Sequence, residues 1–368
     1  MRACPVPLLP SSLTVLAVSL ALALGAPVRA EDPPESWQIE APRIAFDDKS
    51  PLDRLNYHPL ERAERPWQLC VLYPHLKDAY WLSVNFGMVE EAARLGVGFN
   101  LFEAGGYPNL ERQREQLLAC AASGADAVIL GTVSFDRLTD LVERIATTMP
   151  VIAAVNDIDD RGITAKAAVS WVEMGAVAGR FLADRHPAGS PAVRIAWFPG
   201  PEAAGWVGFV EEGFRSAIRD SAVEVVATFH GDTGREQQVL LVEEALDRLA
   251  DIDYLVGSGP TAEVAVSILR ARGLEDRIGI VSTYMSHAVF RGIRRGRILA
   301  APTDFAVMQG RLSVEMAVRA LEGRLEVAQA GPVILAVTPE TVDEIGSEGS
   351  LAPATFEAVF AFSGDHPR

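Results

Sequence analysis

Gln68-Leu69-Cys70-Val71-Leu72-Tyr73, followed by Pro74-His75-Leu76-Lys77-Asp78-Ala79-Tyr80-Trp81, is the stretch whose reading decides the fold. The first six residues form a strand-length apolar run, and Pro74 and Asp78 mark a turn. From 80 to 95 apolar side chains recur at helical spacing. A nearly continuous apolar strand running into an amphipathic helix is the unit of a parallel sheet covered on both faces.

Working outward, the unit repeats. Strands are expected at 98–102, 127–131 and 151–155, with helices at 110–123 and 135–147. A second series places helices at 172–185, 203–219, 235–249 and 261–272, alternating with strands at 194–198, 223–229, 254–257 and 278–282. A short helix at 286–294, a strand at 298–303, a long helix at 307–322 and a last strand at 333–337 complete the pattern. A chain that returns to the first lobe after finishing the second crosses between them three times. The expected fold class is therefore α/β, with two doubly wound parallel-sheet lobes joined by a three-stranded hinge. One lobe takes 67–165 plus 304–327, and the other takes 166–303 plus 328–339. Residues 31–66, rich in Pro and charge, read as an irregular N-terminal extension, and 340–368 as a C-terminal one.

Before the lobes, Arg2, an apolar stretch from Leu13 to Leu24, and Val28-Arg29-Ala30 form an export signal expected to be cleaved after Ala30. The alternative is an uncleaved anchor, but the apolar stretch is shorter than the roughly 18 to 20 residues that a spanning helix needs. No direct membrane insertion is expected, and the destination is the periplasm. Losing Arg2 and Arg29 makes the formal charge of −16 into −18. Such acidity argues against nucleic acid as a partner. Cys4 leaves with the signal, so Cys70 and Cys120 remain, either as one disulfide or as two buried thiols.

Hinged lobes enclose a cleft, and ligands of open α/β sheets bind beyond the carboxyl ends of the strands. Of six Trp and six Tyr, five stand at such positions: Tyr80, Trp81, Tyr107, Trp171 and Tyr284. Aromatic faces set as a box attract cationic or methylated nitrogen, while Tyr O–H and indole N–H groups can donate to an anionic oxygen. Asp78 either faces the positive end of such a ligand or orients a Tyr hydroxyl, or else caps the helix starting near Tyr80. Asn156, Asp157 and Asp304 also follow strands, where turn chemistry competes with a ligand or hinge role.

Dinucleotide and phosphate loops, the Gly-x-Ser-x-Gly elbow and His-Glu-x-x-His are missing, and no His or Cys pair has metal-ligand spacing. The expectation is a binding protein without metal, cofactor or catalysis. An exported hydrolase using His75 or His287, and a sugar or polar-nutrient carrier for an importer, are the competing readings.

Leu72-Tyr73-Pro74, Lys77-Asp78-x-Tyr80-Trp81-Leu82-Ser83, Glu103-Ala104-Gly105-Gly106-Tyr107, Trp171-x-x-Met174-Gly175, Ser286-His287, Arg291-Gly292 and Arg295-Gly296 together resemble the TorT family of type I periplasmic binding proteins. The resemblance runs from about 67 to 339 and is weakest at the two ends. It implies that the ligand is trimethylamine N-oxide, held by an aromatic box of Trp81, Trp171 and Tyr284. Asp78, Tyr80 and Tyr107 would complete the polar side. It further implies docking on the periplasmic sensor domain of a TorS-type histidine kinase in a two-component system that regulates trimethylamine N-oxide respiration.

Overall fold

The computed structural model describes residue 1, residues 36–47 and residues 50–364. The export signal and the expected cleavage after Ala30 lie outside the described residues. Among the described residues no helix is long and apolar enough to cross a membrane.

In chain order the elements are β1 (Trp37–Pro42), β2 (Leu52–Tyr57), β3 (Gln68–Tyr73), α1 (Ala79–Leu95), β4 (Gly98–Glu103), α2 (Leu110–Ala122), β5 (Ala127–Leu130), α3 (Thr139–Ala146), β6 (Val151–Ala154) and β7 (Ala165–Ala167). Next come α4 (Trp171–Arg185), β8 (Val193–Phe198), α5 (Val207–Ile218), β9 (Val223–Thr228), α6 (Arg235–Arg248), β10 (Tyr254–Gly257), α7 (Gly259–Arg272), β11 (Gly279–Ser282) and α8 (His287–Arg294). The chain closes with β12 (Ala301–Thr303), α9 (Ala306–Leu321), β13 (Gln329–Pro332), β14 (Leu335–Val337), α10 (Val342–Ile345) and β15 (Ala361–Phe362).

A nine-stranded sheet in the order β15-β4-β3-β5-β6-β7-β13-β1-β2 forms the first lobe, and it is parallel from β4 to β13. A four-stranded parallel sheet, β11-β10-β8-β9, forms the second. The strands β5 and β6 are fully buried, as sheets covered on both faces require. Helix α9 returns to pack on α1 and on β5, β6 and β7, while α4 packs on α5, β12 and β14. The chain therefore crosses between lobes after β7, after β12 and after β13, which gives the three-stranded hinge.

Three expectations need correction. Residues 31–66 are not irregular throughout, because β1 and β2 pair antiparallel and extend the first sheet through β13. Trp37, Ile39 and Ala41 face inward at a period of two, a signal masked by neighbouring Pro and charge. The segment 328–332 belongs to the first lobe's sheet, not to the second lobe, since β13 lies between β7 and β1. Its Gln-Ala-Gly-Pro sequence carries no apolar run, and it is recruited by the strands on either side. The C-terminal extension also contributes a strand, β15, antiparallel to β4.

Cys70 on β3 and Cys120 on α2 form a disulfide with a Cα–Cα distance of 5.7 Å, fixing α2 to the sheet. The segment between β2 and β3 is fixed by charge instead. Buried Glu315 accepts from the Leu60 N–H at 2.8 Å and pairs with Arg319 at 2.8 Å and Arg94 at 3.4 Å. Arg94 also holds Glu91, and Arg319 donates to the His58 carbonyl at 2.6 Å. Burial pushes the Glu91 carboxyl up to about 7, against the opposing pull of Arg94.

Candidate functional site

Nine side chains converge where the strand ends of the two lobes face each other: Asp78, Tyr80, Trp81, Tyr107, Asn156, Trp171, Trp206, Thr233 and Tyr284. The cavity left among them is about 10 Å³, room for a single water. An enclosure this tight suits only a molecule of few heavy atoms, admitted as the lobes open.

The rings form a connected wall. Trp81 meets Tyr80 edge-on at 6.1 Å between centroids, and Tyr80 meets Tyr284 at 5.3 Å. Tyr284 meets Trp206 at 6.1 Å, and Trp206 meets Trp171 at 5.2 Å. Three glycines make room for three of these rings. A Cβ would fall 2.5 Å from Trp81 at Gly131, 2.7 Å from Trp206 at Gly200, and 2.7 Å from Tyr284 at Gly259. Each lies just beyond a strand or at its following helix start, so the rings rest directly on the strand ends.

Most polar groups around the wall already have partners. The Trp171 indole N–H donates to the Val155 carbonyl at 2.8 Å. Tyr80 donates to the Asp304 carboxylate in a short hydrogen bond, and Gln309 Nε2 donates to both, at 3.2 Å and 2.7 Å. Burial raises the Asp304 carboxyl and, together with Asp304, holds the Tyr80 hydroxyl far above its ordinary range. Tyr107 differs. Its oxygen accepts from Asn156 Nδ2 at 3.1 Å and from Trp206 Nε1 at 3.1 Å, with Trp81 also bonding to it. Burial raises this hydroxyl too, so it stays protonated, and its acceptor sites are filled by N–H groups. The phenolic proton is left to point at whatever occupies the cavity.

Asp78 takes the capping role and also stands at the cavity. Its Oδ1 accepts from the Tyr80 and Trp81 N–H groups at 3.1 Å and 3.3 Å, capping α1, and its carboxylate lines the cavity. Backbone strain stands beside two other candidates. Val155, a β-branched residue, has φ 68° immediately before Asn156, and Phe305 has φ 49° immediately after Asp304. Such conformations persist where surrounding structure over-determines them, and here they turn the Val155 carbonyl to Trp171 and set Asn156 at the wall.

The structure thus brings all six first-rank candidates, Asp78, Tyr80, Trp81, Tyr107, Trp171 and Tyr284, to one cavity. Asn156 joins them, and Asp304 sits behind Tyr80. Asp157 is not among the lining residues; it pairs with buried Lys166 at 2.7 Å. Trp206 and Thr233 line the cavity without having been singled out. The expected helix at 203–219 hid Trp206 inside it, whereas α5 begins at Val207 and leaves Trp206 as its N-cap after β8. Thr233 follows β9 and was legible only by the strand-end rule.

Contacts across the cleft hold the lobes together at this site. His75 Nε2 bonds Thr233 Oγ1 at 3.0 Å, and Lys77 pairs with Asp232 at 3.2 Å. His75 Nδ1 accepts from the Lys77 N–H at 3.3 Å, which makes Nε2 the protonated nitrogen. At Gly205 a Cβ would fall 2.1 Å from the Asp157 carbonyl, so the lobes approach there at backbone distance. The other histidine considered for catalysis, His287, bonds the Ala352 carbonyl at 2.7 Å.

With this geometry in hand, residues 66–347 match the family described as periplasmic binding proteins and sugar binding domain of the LacI family. Over 301 residues the chain is 40% identical to Periplasmic protein TorT of Escherichia coli strain K12, covering 82% of this chain and 86% of the relative. The chain belongs to the TorT family of periplasmic binding proteins. Among solved structures, this TorT-family chain is similar to the TorS sensor domain–TorT complex in the presence of TMAO, with 42% identity and a TM-score of 0.73. That match covers 80% of this chain and 99% of the other. It is also similar to an ABC transporter solute binding protein from Bradyrhizobium sp. BTAi1 with bound bis-tris, at 44% identity and a TM-score of 0.76, covering 88% and 98%.

Proposed function

We propose that this chain binds trimethylamine N-oxide between its lobes and presents the closed form to the periplasmic sensor domain of a TorS-type histidine kinase, regulating trimethylamine N-oxide respiration. The observation that carries this reading is a small aromatic enclosure in which the Tyr107 hydroxyl, its oxygen filled by N–H donors, keeps a proton for an incoming acceptor. Trimethylamine N-oxide has five heavy atoms, three methyl groups on a positive nitrogen, and one oxyanion. The faces of Trp81, Trp171, Trp206 and Tyr284 suit the methylated nitrogen, and the Asp78 carboxylate adds negative potential at that end. Tyr107 O–H suits the oxygen as donor. Tyr80, held by Asp304 and Gln309, serves as wall and not as donor.

The ligand changes the balance between open and closed lobes by its greater affinity for the closed one, where both halves of the wall meet. The hinge lets the lobe built on the nine-stranded sheet and the lobe built on the four-stranded sheet move against each other. No bond of the ligand is broken. The mature chain begins after cleavage at Ala30 and acts in the periplasm.

A second reading, a solute-binding protein for an importer, draws on the Bradyrhizobium relative. Bis-tris shares a tertiary amine nitrogen with methylated amines, but its five hydroxyls and larger size favour the importer reading. Sugars fit the cavity less well, because Asp78 is the one charged side chain lining it and no Arg does so.

The test is calorimetric titration of the mature protein with trimethylamine N-oxide, glycine betaine and D-arabinose. Saturable heat with the N-oxide, and none with the pentose, is expected. Heat with arabinose alone would replace this reading with the importer one.

A further inference from the structure

In a chain of formal charge −16, one groove on the second lobe is lined by four arginines, Arg270, Arg291, Arg295 and Arg297, against two acids, Glu263 and Glu275. Its volume is about 280 Å³. Arg297 lies 3.8 Å from Asp276, and Glu263 is taken by Arg235 at 2.5 Å. Elsewhere on the surface Arg215, Arg248 and Arg272 each hold an acid. Arg270, Arg291 and Arg295 have side chains that form no ion pair or hydrogen bond with a described residue, although acids outnumber bases by 49 to 33. These three guanidinium groups share the groove with Glu275 and with a Glu263 already held by Arg235, so positive charge there exceeds what the lining carboxylates answer.

The groove also adjoins the ligand site. A smaller depression of about 160 Å³ shares Asp78 and Tyr284 with the aromatic cavity and Glu263, Ala288 and Arg291 with the groove. Its walls are the start of α1 from the first lobe and α8 from the second. Tyr284 stands two residues before Ser286, whose side chain caps α8 by accepting from the Val289 N–H at 3.2 Å. A protein seated on the groove would therefore abut the seam that closes when ligand binds.

We propose that the Arg270–Arg291–Arg295 groove is the docking surface for a carboxylate-bearing segment of the sensor domain. Guanidinium groups bind carboxylates bidentately, which fixes register as well as adding attraction. The groove lies wholly on the second lobe, but the depression beside it takes Asp78 and Ala79 from the first, so a partner seated on both senses lobe closure. This rests on the reading that the chain signals to a TorS-type sensor domain.

The test titrates the sensor domain into wild-type protein and into the Arg270→Glu/Arg295→Glu variant, at low and high salt, with trimethylamine N-oxide present. Both positions are exposed and outside the aromatic cavity, so ligand affinity measured without the sensor domain stays at the wild-type value. The expected result is about tenfold or greater loss of sensor-domain affinity, with a flatter salt dependence than wild type. Equal affinity in variant and wild type overturns the groove and leaves the function standing. Wild-type protein that binds the N-oxide but no sensor domain overturns the groove and the signalling role together. Binding of citrate or phosphate in the groove with sensor-domain affinity untouched by the variant reassigns it as a small-anion site and overturns the proposal.

Discussion

The aromatic cavity and the ion cluster beneath the segment before β3 are both buried and both polar, and they differ in how their polar groups are matched. In the cluster, Glu315 holds Arg319, Arg94 and the Leu60 N–H, and the arginines reach on to Glu91 and to the His58 carbonyl. Its charges are answered from within the chain, and it attaches residues 57–67 to α1 and α9. In the cavity, Tyr107 has its oxygen filled and its proton unassigned. Groups matched internally hold the fold, whereas a group matched on one side only is poised for something that arrives from outside.

The largest effect should come from breaking the cluster. Glu315→Ala leaves buried Arg319 without its carboxylate and the Leu60 N–H without its acceptor, and should cost about 3–5 kcal/mol of folding stability, read as a lower urea midpoint. The folded fraction should bind ligand normally; impaired affinity in that fraction would mean the two regions are coupled. Next, Trp171→Ala should weaken trimethylamine N-oxide binding roughly 30- to 300-fold by removing a desolvated ring face and its contact with Trp206. Unchanged stability-corrected affinity would remove the wall from the account.

Tyr107→Phe sharpens the contrast further. Losing one donor to a charged oxygen should cost roughly 10- to 100-fold in N-oxide affinity while leaving tetramethylammonium binding nearly unchanged. The smallest effect is a pH dependence. Because burial places the folded-state Glu91 carboxyl near 7, above its ordinary 4.5, the folded protein binds the proton more tightly than the unfolded chain does. Its contribution is fully present below about pH 4.5 and is lost as pH rises towards 7, flattening beyond. Glu91→Gln should abolish that segment of the stability–pH curve, and a wild-type difference that persists above pH 7 would argue against this cause.

Much of the fold was legible because the apolar runs of β3, β5 and β6 and the helical spacing of α1 and α9 are local signals. What escaped was non-local. The strand β13 has no strand-like sequence and exists because β7 and β1 flank it, and the alternation in β1 was obscured by its surroundings. At the site, the strand-end rule found six lining residues together with Asn156, but it failed at Trp206 because the helix start was placed four residues too early. It also offered Asp157, which does not line the cavity and whose carboxylate pairs with Lys166 on β7. No sequence pattern could have separated Tyr80 from Tyr107. Their difference lies in which atoms donate to each oxygen, and that appears only once Gln309, Asn156 and Trp206 are in place.

The most direct measurement is a pair of calorimetric titrations of the wild-type mature protein, one with trimethylamine N-oxide and one with tetramethylammonium. The two ligands share a methylated positive nitrogen and differ in the oxygen. Saturable binding of both, with the N-oxide tighter by at least about tenfold, is the result expected if the aromatic wall holds the nitrogen and Tyr107 reads the oxygen. A folded protein that binds neither, or that binds the two equally, would contradict it.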